Sequence, residues 1–237
     1  MKTRFLNNNT RVLSEVVDGE GKRIAQDFLE RLTNGFVKHS TKYMKFVYET
    51  PFAFGERQVN SILAPALAGF AEAFLLEIPA NRKNLKQGYE SHGWVDIWAR
   101  YRKIDFYLEV KHSFASYKSL SINKDTHGKW EEAIVQIKDC SSSLMKMYDS
   151  NGIIILPLHI ITIFDGVAEG EISLSIEDGN ELSLIQKNHH HSLKNLNWSS
   201  LWTVPGSLAK NAYHIRENKD IYYPGVILAS NISKLRV

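Results

Sequence analysis

A chain of 237 residues that is 43% hydrophobic carries enough apolar material for a sizeable core, and its length suits one large domain or a core with additions. No run approaches the roughly 18–20 apolar residues of a membrane span, and Met1-Lys2-Thr3-Arg4-Phe5 leads into Asn7-Asn8-Asn9 with no apolar secretory segment. Cys140 is the single cysteine, which excludes an internal disulfide and makes a reducing, cytoplasmic setting the simple expectation. The net charge of +3 does not by itself establish nucleic-acid binding, although it is compatible with a local basic groove.

Residues 10–50 read as helical. Ile24, Phe28, Leu29 and Leu32 recur at helical spacing, Asn34-Gly35 suggests a stop, and Thr50-Pro51 marks a break because a residue before proline avoids helical geometry. A second helix is expected from about Gly55 to Ala71, with Val59, Ile62, Leu63, Ala66, Leu67 and Phe70 as its apolar stripe and Pro65 as a kink. At about 100° per residue, Glu56 falls within roughly 20° of Leu63 and Leu67, whereas Glu72 projects about 180° from Leu63. A carboxylate on the buried side of a helix is unusual. Residues 74–79 read as a strand, followed by a basic loop at 81–88 that carries Arg82 and Lys83.

The centre of the chain holds two strands, Gly93 to Tyr101 and Ile104 to Lys111, joined by a basic turn at Arg102-Lys103. Side chains alternate along a strand. Phe106, Leu108 and Val110 therefore share one face, with His112 on their side, and Tyr107, Glu109 and Lys111 share the other. In the preceding strand Val95, Ile97, Ala99 and Tyr101 oppose Trp94, Asp96 and Trp98. Pairing the two strands brings Asp96, Glu109 and Lys111 onto one face, where two acids and an ammonium call for a cation or a chemical task.

Beyond this pair, residues 113–126 read as a loop and about 129–148 as a helix with Trp130, Ile134, Ile137, Leu144 and Tyr148 on one face, ended by Ser150-Asn151-Gly152. Residues 153–164 form a nearly continuous apolar run, expected as a buried strand with a bulge or an end at Pro157. Alternation at 171–176, a turn at Asp178-Gly179 and a last strand over about 221–228 complete the reading.

The order helix, strand, strand, strand, helix, strand, with Asp96 on the second strand and Glu109-Val110-Lys111 on the third, resembles the PD-(D/E)xK nuclease superfamily over about residues 55–165. Two other Glu-x-Lys tripeptides, Glu20-Gly21-Lys22 and Glu217-Asn218-Lys219, lack the hydrophobic strand and the preceding aspartate. Val95 stands where the superfamily name has proline, a position that varies within it. The flanking segments Gly55-Glu56-Arg57-Gln58 and Lys111-His112-Ser113 also look like those of bacterial proteins of this type. The resemblance implies an α/β, restriction-endonuclease-like mixed central sheet flanked by helices, with an N-terminal helical extension (1–54), a nuclease core (55–165) and a C-terminal extension with strands packed on the core (166–237). It implies a metal-dependent deoxyribonuclease with DNA as partner; a homodimer is compatible, and neither a membrane nor a small-molecule cofactor is implied.

The chemistry is consistent with those residues. Phosphodiester hydrolysis needs charge neutralised on the scissile phosphate and hydroxide supplied near neutral pH, and a divalent cation does both. Mg²⁺, or Mn²⁺ in its place, takes hard oxygen ligands and keeps several waters. Asp96, Glu109 and the Val110 carbonyl are the candidate ligands, Lys111 the group that orients or deprotonates the attacking water, and Glu56 a holder of metal-bound water or of a second ion. Arg82, Lys83, Arg102 and Lys103 are candidate phosphate contacts, with Arg100 beside them; Trp94 and Trp98 could stack bases or simply pack. Some relatives carry Gln-x-x-x-Tyr in the following helix; here Gln136 is followed by Cys140 in the tyrosine place. Competing readings are a structural salt bridge for Asp96, Glu109 and Lys111, a dipole-satisfying carboxylate for Glu56, solvated surface charge for the basic residues, and a solvated loop for His189-His190-His191. A non-catalytic nucleic-acid-binding or protein-interaction module that keeps the fold is the alternative function.

Overall fold

Alternating apolar strands and two-sided burial build a mixed sheet with helices on both faces. The structure, a computed structural model, describes residues 1–15, 19–83, 90–141, 144, 146–167, 179–216, 219–233 and 235–236. In chain order the elements are β1 (Lys2–Asn7), β2 (Thr10–Ser14), α1 (Lys22–Val47), α2 (Glu56–Ala68), β3 (Ala73–Lys83), β4 (Glu90–Tyr101), β5 (Ile104–Ser116), α3 (Lys124–Cys140), β6 (Ile153–Val167), α4 (Gly179–Ser192), β7 (Trp198–Thr203), β8 (Tyr213–Arg216) and β9 (Lys219–Ser230). Short 3-10 turns lie at Pro51–Ala53 and Gly206–Asn211.

The strand order is β1-β2-β7-β9-β6-β5-β4-β3, with β8 also pairing with β9. Among the described strands, only β5 and β6 run parallel, and helix α3 makes the crossover that a parallel pair requires. The alternation of β5 decides which layer each side chain joins. Phe106, Leu108 and Val110 enter the core beneath α1 and α2, with Phe28, Leu32, Val59 and Leu63. Phe28 stacks on Phe106 with ring centroids 4.1 Å apart. Tyr107 faces the other way, against Ile137 and Cys140 of α3. Trp130 of α3 and Leu182 and Ile185 of α4 cover Ile161, Ile227 and Ala229 on that same side.

Several elements differ from the sequence reading. Residues 10–14 form β2 rather than the start of a helix, because β7 offers an edge: Thr10 pairs with Trp202 and Ser14 with Trp198. Helix α1 does not stop at Asn34-Gly35 but continues to Val47. Gly35 instead lets α2 come close, since a Cβ there would stand 2.7 Å from Ala66 Cβ. Residues 113–116 continue β5 on its β6 ladder, and α3 begins at Lys124 under an Asn123 cap whose Oδ1 accepts from Thr126 N–H, and ends at Cys140 rather than 148. His189, His190 and His191 close helix α4 instead of lying in a loop; His189 and His190 are buried because the helix packs on β7. Pro157 sits inside β6, just before the β9 ladder begins at Leu158↔Ser230. The basic loop expected at 81–88 starts later, because residues 81–83 continue β3 on its β4 ladder; its remainder from 84 to 88, the expected turn at Asp178 and the alternation at 171–176 lie outside the described residues. Among the described residues, no helix is long and apolar enough to cross a membrane.

Candidate active site

Strands β4 and β5 pair from Tyr101↔Ile104 to Ile97↔Leu108 and then part. Strand β4 stays with β3 as far as Lys83↔Glu90, so the two form a ribbon that leaves β5 behind. Asp96 stands at the fork. Its Oδ2 accepts a hydrogen bond of 2.6 Å from the Val110 amide, taking the place of the strand carbonyl that would otherwise have met it. The carboxylate is thereby held one residue from Glu109. On β3, opposite the fork, Glu77 adopts a left-handed φ of 55° and is exposed, between the pairs Leu76↔Ile97 and Ile78↔Val95.

Glu109 and Lys111 are two apart on β5 and share a face, as the strand period dictates. Both are buried, and Lys111 Nζ lies 3.1 Å from Glu109 Oε1. Burial works against the Lys111 ammonium, yet the charges of Glu109, Glu56 and Asp96 and the hydrogen bond to Glu109 carry its pKa above the ordinary lysine value. Lys111 is therefore a fixed cation at neutral pH.

Glu56 is the first residue of α2, half-buried after an extended Gly55. Burial pushes its pKa up; the Lys111 charge opposes this, and the Asp96 charge adds to it. The structure thus brings Glu56, Asp96, Glu109 and Lys111 into one electrostatic neighbourhood. Glu72 is elsewhere, accepting from the Lys103 amide at the hairpin turn. Among the described residues, Glu56, Asp96 and Glu109 all act on Lys111.

Helix α3 adds Lys129 and Glu132, which the sequence reading did not single out, beside the Gln136 that it did. Glu56 also senses the charges of Lys129 and Glu132. Glu132 Oε1 accepts from Gln136 Nε2 at 3.0 Å, and its Oε2 lies 3.5 Å from Lys129 Nζ. Gln136 Oε1 is a buried acceptor with no hydrogen-bond partner among the described residues. Lys129, Glu132 and Gln136 are three and four apart on one helix side, a spacing present in the sequence but with nothing local to say that this side meets Glu56.

Beneath Lys111 lies a neutral polar layer. His159, its register partner on β6, is fully buried, and its Nε2 is 2.8 Å from Ser113 Oγ, which is 3.0 Å from Thr126 Oγ1. Burial lowers the His159 pKa to about 3. On the opposite face, Thr162 Oγ1 donates to the Phe52 carbonyl, so the Nε2–H of His112 donates to Thr162 Oγ1 at 2.9 Å. Burial lowers the His112 pKa to about 4.

Of the candidate phosphate contacts, Arg102 and Lys103 lie away from the site. Arg102 and Lys103 form the β4–β5 turn, with φ of 51° and 60°, at the far end of the strands from Glu109. Arg102 pairs with Asp27 at 3.1 Å and Lys103 with Asp149 at 3.2 Å. Arg100 donates to the buried Asp105 at 2.9 Å and lies over the Trp98 ring. Arg82 and Lys83 end β3 opposite Ser91 and Glu90, and their side chains fall outside the described part of the structure. Trp98 is packed, whereas Trp94 is 56% exposed.

Among the described residues, no three His, Cys, Asp or Glu side chains converge as a preformed metal cage. Carboxylates from β4 and β5 are hard-oxygen groups, of the kind that suits Mg²⁺ with its retained waters rather than Zn²⁺. No protein-family model, curated protein or solved structure matches the chain.

Proposed function

We propose that this protein is a divalent-metal-dependent nuclease that hydrolyses DNA phosphodiester bonds on a restriction-endonuclease-like, PD-(D/E)xK fold. The observation that carries the reading is the fork: Asp96, held on the Val110 amide, stands beside the Glu109 that pairs with Lys111. A purely structural ion pair needs one acid for one base. Here Asp96 and Glu56 add two further carboxylates around Lys111, and the Asp96 charge raises the cost of ionising Glu56.

Mg²⁺ fits that excess of hard oxygen. When bound, the cation neutralises charge on the scissile phosphate and supplies hydroxide near neutral pH. Asp96, Glu109 and the Val110 carbonyl would hold it. Lys111, protonated and without acceptor capacity, orients the attacking water or stabilises charge developing on the phosphate. Glu56 accepts hydrogen bonds from water on the helix side of the site. Diffraction from crystals soaked in Mn²⁺ tests the reading. An anomalous peak between Asp96 and Glu109 supports it, and a peak elsewhere with none at the fork sinks it.

A further inference from the structure

Helix α1 ends in an exposed tip whose base is pinned from both sides. The Met44 carbonyl accepts from the Tyr48 amide at 3.0 Å and from Asn211 Nδ2 at 2.8 Å, and Thr50 Oγ1 donates to the Asn211 carbonyl at 3.3 Å. Met44 and Thr50 are buried. Between these anchors Tyr48 takes a left-handed φ of 60°, and Phe46, Val47 and Tyr48 stand 76%, 47% and 71% exposed. Three consecutive large apolar or aromatic side chains are therefore held in water by a fixed turn, an unfavourable arrangement that contact with an apolar partner would relieve.

The same end of the helix is basic. Lys38, Lys42 and Lys45 are spaced i, i+4 and i+7, which is one stripe of a helix, and all three are exposed. No acidic residue occurs from Arg31 to Tyr48, and the half-buried Glu49 is the first to follow. Among the described residues, none of the three lysines has a carboxylate partner. Burial, and after it the charges of Lys38 and Lys42, lower the pKa of His39. A bilayer containing acidic lipids matches such a surface: its phosphates attract the lysines, and its interfacial layer takes up aromatic and aliphatic side chains. Nucleic acid matches less well, because Val47 offers no ring to stack. Helix α1 also covers the sheet face of Phe106, Leu108 and Val110, opposite Glu109 and Lys111, so a strand held here would not lead to the fork. A two-fold contact with a second copy would set lysine against lysine.

We infer that this protein attaches peripherally to anionic bilayer surfaces, with Phe46, Val47 and Tyr48 inserted among the headgroups and Lys38, Lys42 and Lys45 on lipid phosphates. The attachment is reversible, because three side chains and three charges fall far short of a membrane-spanning helix. The nuclease reading of the fork implies no membrane, and this inference stands on a different part of the molecule.

The test is co-sedimentation of the full chain with vesicles of phosphatidylcholine alone and of phosphatidylcholine and phosphatidylglycerol in equal parts, at low and at high salt. Gel shifts of a short DNA duplex and of its single strand run alongside. Binding is expected to the mixed vesicles only, and it should fall as salt rises. Lys38→Gln/Lys42→Gln/Lys45→Gln is expected to weaken it about 100-fold, and Phe46→Ser/Tyr48→Ser at least about ten-fold. Circular dichroism melts of both should match the wild type, since every substituted side chain is exposed. An environment-sensitive dye on Tyr48→Cys, with Cys140 buried and out of reach, should shift its emission to the blue on mixed vesicles. The same dye on Leu184→Cys, in α4 on the other side of the sheet, should not. If a multiple variant does not fold, the two dye positions decide. No binding to the mixed vesicles, equal binding to both vesicle types, unaltered binding by either variant, or an unshifted dye at position 48 overturns the inference. A gel shift that the lysine variant loses, with no vesicle binding by the wild type, also overturns it and assigns the basic stripe to nucleic acid.

Discussion

Asp96 Oδ2 accepts the Val110 amide proton at 2.6 Å at the point where β4 and β5 cease to pair. A carboxylate is thus part of the sheet's hydrogen bonding and part of the candidate site at once, and substitutions can separate the two roles. Asp96→Ala removes both, leaving a buried amide without an acceptor at a cost of about 1–3 kcal/mol. Asp96→Asn keeps a carbonyl acceptor and removes the charge. Denaturant melts should place Asn near wild type and Ala well below it, while isothermal titration with Mn²⁺ should show both variants failing to bind. Tight Mn²⁺ binding by Asp96→Asn would remove Asp96 as a ligand.

Lys111 should matter to rate more than to substrate affinity. Single-turnover cleavage by Lys111→Ala is expected to fall about 10²–10⁴-fold, with gel-shift affinity retained. The same change strands the buried Glu109 carboxylate, so the variant should be destabilised by about 3–5 kcal/mol in EDTA. Added Mg²⁺ should restore much of that stability, because a bound cation takes over the neutralisation. Cleavage at the wild-type rate by this variant would move the active site elsewhere.

Acid should destabilise the fold through His159 and His190. Burial lowers the former to about 3 and the latter to about 4, from ordinary values near 6.5. His159 is surrounded by His112, His189, Lys129 and Lys111, which lower it further; Glu15 favours the charged form of His190, while His191 and the N-terminal amine oppose it. Both groups bind more protons unfolded than folded. Their contribution is therefore fully present above about pH 6.5 and is lost as pH falls through the unfolded value toward the folded ones. Each should cost up to about 2 kcal/mol at pH 5. Thermal melts between pH 7.5 and 5 should show the loss, and His159→Gln should flatten the curve.

Two glycines in helices should respond with opposite sign. In α1, the Cβ of Gly35→Ala would meet Ala66 Cβ at 2.7 Å and its Cα at 2.9 Å, so α2 must shift and stability should fall by about 1–3 kcal/mol. In α3, a Cβ at position 128 would meet nothing within 4 Å, and Gly128→Ala should add about 0.5–1 kcal/mol from helix propensity. Chemical denaturation of the two variants compares them directly.

These contrasts also show what is legible in the sequence. The alternation through Phe106, Leu108 and Val110 and the apolar stripe of α2 are local periodicities, and both face the core in the structure. The meeting of Glu109 and Lys111 follows from strand parity alone. Gly35 misleads because a glycine that ends a helix and a glycine that admits a neighbouring helix look the same without the neighbour. Strand β2 escapes a sequence reading because five residues carry too little pattern of their own; their structure comes from β7. Glu132 escapes the sequence reading because its nearness to Glu56 is a contact between α3 and the start of α2, which no local periodicity encodes.

The ladder between β2 and β7 has a further consequence for how the chain acquires its structure. Thr10 finds its partner in Trp202, so the first hairpin has no template until nearly the whole polypeptide is available. Helices α1 and α2 and the β3–β4–β5 meander can condense from local contacts, whereas the outer half of the sheet must wait for distant segments to arrive. During synthesis the edge of β6 that later receives β9 is an apolar strand without a mate, and that interval is when the protein is most exposed to strand exchange with another copy and most dependent on chaperones.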